Sequence, residues 1–114
     1  MALLASGTLP AKEEVAAYRV LVHVSPLAYL PRLVVALWAY SRQEFSDQPE
    51  RVLALHVESV VAAKQLYAME PERAGLLVES LIEYRKQLVL LDRPGEVRAV
   101  DEEIALVARA ASLM

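Results

Sequence analysis

Proline and glycine usage constrains this chain more than any other feature. Pro10, Pro26, Pro31, Pro49, Pro71 and Pro94 cut it into segments of helical length, while glycine occurs only at Gly7, Gly75 and Gly95. No Asn-Gly or Asp-Gly pair supplies a tight hairpin, so strands have little to connect them. Proline is tolerated in the first turn of a helix, where its missing N–H would have no partner anyway. Asp47-Gln48-Pro49-Glu50 and Asp92-Arg93-Pro94-Gly95-Glu96 therefore read as helix starts, each with an acidic cap and a carboxylate near the positive end of the helix dipole.

Between the breaks, apolar residues recur at three and four, the spacing of one helical face. Val97, Val100, Ile104, Val107 and Ala111 follow it, as do Val52, Leu55, Ser59, Ala62, Leu66 and Met69. Leu77, Leu81, Tyr84, Leu88 and Leu91 form a third stripe, Leu30, Leu33, Leu37 and Tyr40 a fourth, and Val15, Tyr18 and Val22 a shorter fifth. The predicted helices cover 11 to 24, 28 to 46, 49 to 69, 72 to 91 and 94 to 112. The fold class is all-α, in a single domain over residues 1–114 with an irregular segment at 1–10. At 114 residues the chain is long enough for one domain and too short for two comfortable ones.

The chain also matches itself. A shift of 45 residues lays Glu13 on Glu58 and Glu103, Arg19 on Lys64 and Arg109, Val15 on Val60, and Pro49 on Pro94. A shift of 44 lays Leu33, Val34, Leu37, Tyr40, Arg42 and Gln43 on Leu77, Val78, Leu81, Tyr84, Lys86 and Gln87, and Ser41 on Arg85. The register changes by one residue at predicted helix ends, where insertions are tolerated. A period in this range points to stacked helix pairs, here roughly two and a half. The alternative is an up-down helical bundle whose Leu- and Val-rich helices align by composition.

Leu33-Val34-Val35-Ala36-Leu37-Trp38-Ala39-Tyr40-Ser41 followed by Val52-Leu53-Ala54-Leu55-His56-Val57-Glu58-Ser59-Val60-Val61 resembles a long, divergent tetratricopeptide-like unit of the kind found in bacterial multi-repeat proteins. The resemblance covers residues 13 to 111 and implies a protein-binding or scaffolding module. In such units the first helix of each pair lines the concave surface. Carried over, this implies a partner-binding face of Val35, Trp38, Arg42 and Phe45 from one unit and Glu79, Glu83 and Lys86 from the next. The pattern departs from the family at Arg85, where a small residue is expected, and at Val52, Val97 and Ile104, where alanines are.

Composition narrows the partners. A net charge of -3 and a pI near 5.4 offer no basic footprint for a nucleic acid. The longest uncharged stretch, Val20 to Pro31, is too short to cross a bilayer, which takes about 20 apolar residues. With no cysteine and no visible export signal, the expected location is cytoplasmic. The apolar share, 56%, exceeds the roughly 45 to 50% of ordinary soluble domains. More apolar surface is present than a monomer of this size easily hides, so a second copy is an expected partner, most simply as a homodimer. Leu106, Val107 and Ala110 on the last helix are the expected contact, because neither end of the chain carries a polar capping face.

Catalytic chemistry finds little to work with, and neither enzymatic activity, a metal nor a cofactor is expected. His56 and Glu58 point about 200° apart on a helix, and His23 lacks any His-Glu-x-x-His context. Glu79 and Glu83 lie one turn apart among Arg73, Arg85 and Lys86, as on an ordinary charged face. Beside the interaction module, a purely structural homo-oligomeric helical bundle is a second reading, and a small-molecule sensor or enzyme formed within a helical bundle is a third. It requires an apolar pocket lined by His23 or His56.

Overall fold

The computed structural model describes residues 9–45 and 47–113, without the Glu44 side chain. Among these residues there are five α-helices and no strand: α1 (Ala11–Leu21), α2 (Pro26–Glu44), α3 (Pro49–Met69), α4 (Ala74–Leu90) and α5 (Pro94–Ser112). A 3-10 turn at Pro71–Arg73 leads into α4. None of the helices is long and apolar enough to cross a membrane. Residues 1–8 of the expected irregular segment lie outside the described residues, and Leu9 and Pro10 are non-helical.

The stripes read from the sequence point inward. Val15, Leu30, Leu33, Leu37, Leu55, Leu66, Leu77, Leu81, Leu88, Val100 and Val107 belong to one continuous core. α3 contributes Ala62, Ala63 and Ser59 to its buried surface, and these short side chains let the flanking helices approach closely. Met69 and Ala111, at the ends of their stripes, are exposed.

Each helix packs chiefly on its neighbours in sequence, α1 on α2, α2 on α3, α3 on α4 and α4 on α5. The molecule measures 46 × 36 × 20 Å, and its shortest dimension is that of two helix layers about 10 Å each. α1, α3 and α5 lie side by side in one layer, and α2 and α4 in the other. Ion pairs stitch the three-helix layer. Arg19 on α1 donates to both carboxylate oxygens of Glu58 on α3, at 2.8 and 2.6 Å. Lys64 on α3 reaches Glu103 on α5 at 2.7 Å. The same contact thus recurs 45 residues along the chain, cation to the acid of the next helix. Arg93 also bonds Glu50 at 2.9 Å, which brings the starts of α3 and α5 together and makes those helices parallel. All these side chains are partly solvated, so each pair is worth at most about 1 kcal/mol. They set register, and the buried apolar stripes supply the stability.

Helix ends differ from the sequence reading by up to three residues, and the caps differ in kind. α1 stops at Leu21 and α2 begins at Pro26, because this proline occupies the first helical turn. The acidic caps are a correction. Pro49 and Pro94 occupy the first turn, the capping positions fall on Gln48 and Arg93, and neither makes a side-chain cap bond. Asp92 instead closes α4 in the left-handed region, with φ 55, its N–H donating to the Val89 carbonyl. Aspartate tolerates that conformation better than most residues.

The core assignment has a direct check. Leu66→Ala, at a fully buried position, is expected to lower unfolding free energy by about 2–5 kcal/mol. Val20→Ala, at an exposed one, should change it by no more than about 0.5 kcal/mol. Urea denaturation midpoints followed by helical circular dichroism read both.

Candidate interaction groove

A hollow opens where α2, α3 and α4 meet. In the α4–α5 hairpin, Arg85 extends across to Asp101, which also lines a hollow of about 360 Å³ with Pro94 and Val97. The corresponding positions in the α2–α3 hairpin are Ser41 and His56. Ser41 is short and buried, and its hydroxyl donates to the Trp38 carbonyl at 2.7 Å. A groove of about 510 Å³ opens there, lined by Ser41 and Arg42 of α2, Pro49, Val52 and His56 of α3, and Glu83, Lys86, Gln87 and Leu90 of α4. Its size lies within the range of about 300–1,000 Å³ typical of ligand clefts.

The Gln87 side chain donates to the Pro49 carbonyl at 3.0 Å, joining α4 to the first turn of α3. The rim is charged: Arg42 and Lys86 supply cations, and Glu83 lies 3.6 Å from the Lys86 ammonium. Val52 and Leu90 supply apolar surface. His56 is 6% exposed, and its Nδ1 is buried with no hydrogen-bond partner among the described residues. Burial pushes its pKa below the ordinary histidine value; the Glu83 charge opposes this shift and the Arg42 charge adds to it. The imidazole is held neutral near neutral pH. Glu58, its neighbour in the His-x-Glu, turns away to Arg19.

Of the partner-binding face implied by the resemblance, Arg42, Glu83 and Lys86 come together on this groove. The other residues lie elsewhere. Val35 is exposed beside a shallow hollow between α1 and α2 that also holds Tyr18 and Arg32. Trp38 is half-buried against the core, its Nε1 buried without a hydrogen-bond partner among the described residues. Phe45 meets Tyr40 edge-on at 5.0 Å and lies under the Arg51 guanidinium at 4.8 Å, so it closes the α2–α3 corner. Glu79 is exposed on α4 outside the groove lining. On the last helix Leu106 and Ala110 are exposed, whereas Val107 is buried in the chain's own core and unavailable to a partner without unfolding.

The residues missed from sequence as groove lining are Ser41, Gln87, Pro49, Val52 and Leu90, whereas the sequence reading names His56 for a pocket. One signal was the small Ser41 at the position equivalent to Arg85. His23 lines a second hollow of about 490 Å³ with Val22, Pro26, Gln65 and Met69. No family model, curated protein or solved structure matches the chain. The groove is therefore read from its own geometry.

His56 should make stability depend on pH. Because its folded pKa lies below the unfolded value of 6.5, the unfolded chain takes up the proton first as pH falls. Stability is then unaffected by this group above the unfolded pKa and declines below it, until the folded pKa is reached. The wild-type urea midpoint is expected to drop between pH 7.5 and pH 5 by more than that of His56→Gln.

Proposed function

We propose that this chain is a protein-interaction module built from tetratricopeptide-like helix pairs, with another protein or a second copy of itself as partner, and that it is not an enzyme. The observation that carries this reading is the contact between alternate helices, Arg19 with Glu58 and then Lys64 with Glu103, at a constant 45-residue offset. A stacked-pair architecture requires that regularity, and a bundle aligned by composition does not. Such stacks bury their faces only against neighbours, which leaves the terminal faces available for binding.

The exposed apolar residues support self-association. Leu106 is 63% exposed on the outer side of α5, beside exposed Ala105 and Ala110. The groove combines two cations, one carboxylate and the apolar side chains of Val52 and Leu90, a set suited to a peptide segment carrying both charge and side-chain bulk. One observation favours a second reading: His56, with its unpartnered Nδ1, lines that groove, as small-molecule recognition requires. Saturable heat on titration with a small metabolite, abolished by His56→Gln, would give that reading precedence.

Light scattering in line with gel filtration tests the self-association. At micromolar concentration the mass is expected to exceed one chain, reaching that of two or more, and Leu106→Glu should lower it. A monomer at every accessible concentration would remove self-association and leave a different protein as the partner.

A further inference from the structure

The α1–α3 and α3–α5 contacts are built from the same parts, and each of the two end helices carries one unused half of that contact. Val57, Val60, Val61 and Lys64 of α3 and Ala99, Val100 and Glu103 of α5 line one hollow between the two helices, and Lys64 pairs with Glu103 across it. The corresponding outer residues of α5 are Glu102, Ala105, Leu106 and Arg109, and all four are exposed. The counterparts of Ala99, Val100 and Glu103 at the other end are Leu9, Pro10 and Glu13 beside and on α1. Among the described residues neither Arg109 nor Glu13 takes part in an ion pair, although every other member of their two series does.

We infer that copies of the chain stack head to tail, the outer face of α5 in one copy against the free side of α1 in the next, with Arg109 of the first bonding Glu13 of the second. This deepens the proposed self-association and rests on it. The surfaces are complementary in charge, and the exposed Ala105 and Leu106 stand at the positions equivalent to Val60 and Val61, which line the hollow beside α5. α1 and α5 lie at opposite ends of the slab, so a contact joining one to the other is heterologous and propagates instead of closing on itself. It departs in this from the two-fold homodimer expected from composition. At the seam no helix takes the place that α4 holds against α3 and α5. The contact is thus smaller than an internal one and of the weak, reversible class below about 1,200 Å².

Sedimentation equilibrium across a concentration series tests the geometry. The mean mass of the full chain should keep rising beyond that of two chains. Arg109→Glu and Glu13→Arg, both at exposed positions with helix content expected to be unchanged by circular dichroism, should each weaken association by about tenfold or more, since like charges then meet at the seam. An equimolar mixture of the two variants should recover it, because the reversed carboxylate on α5 of one variant then faces the reversed guanidinium on α1 of the other. A plateau at two chains, or variants that associate like wild type, would overturn the head-to-tail contact while leaving self-association intact. A wild-type chain that stays monomeric throughout would overturn both.

Discussion

α3 is buried along two sides at once, and the rest of the molecule is arranged around that fact. Leu55, Ser59, Ala62 and Leu66 form one stripe, and Leu53, Val60 and Ala63 extend the burial around the helix. A helix apolar over so wide an arc must be covered from two directions, and α2 and α4 supply the cover from the other layer. Ala62, Ala63 and Ser59 permit this by keeping the surface low. Ser59 donates its hydroxyl to the His56 carbonyl at 2.8 Å, so a buried polar atom is satisfied without leaving its own helix.

Charge works on a different scale. The ion pairs along α1, α3 and α5 are partly solvated and contribute little energy each, yet they fix which turn of one helix lies beside which turn of the next. In the groove, Ser41 and His56 stand where the other hairpin has the Arg85–Asp101 ion pair, and the His56 Nδ1 is buried there with no hydrogen-bond partner among the described residues.

The helices were legible because their cause is local. Apolar spacing and proline position act over a few residues, and the stripes through Leu37, Leu66, Leu81 and Val100 all lie in the core. Helix starts were less legible. Asp47 and Asp92 have the composition of caps, but the prolines shift the cap one residue onward, and Asp92 is taken up in closing the preceding helix. The candidate site was legible only in its charges. Arg42, Glu83 and Lys86 share the groove, but their meeting depends on the approach of α2 to α4 over α3, which no local rule encodes. The resemblance places Phe45 and Trp38 on a binding face, whereas the corner between α2 and α3 draws Phe45 onto Tyr40 and Trp38 against the core.

The 20 Å thickness of the slab has a consequence for how the chain opens. With two layers there is no interior remote from an edge, and cohesion passes from one helix to the next. α1 and α5 each lean mainly on a single neighbour, while α3 is held between two. Unfolding is then a sequential process, in which an end helix can detach and return while the centre remains intact. Amide protection should grade inward from α1 and α5 to α3, and anything that covers an end face would slow the exchange of the whole row behind it.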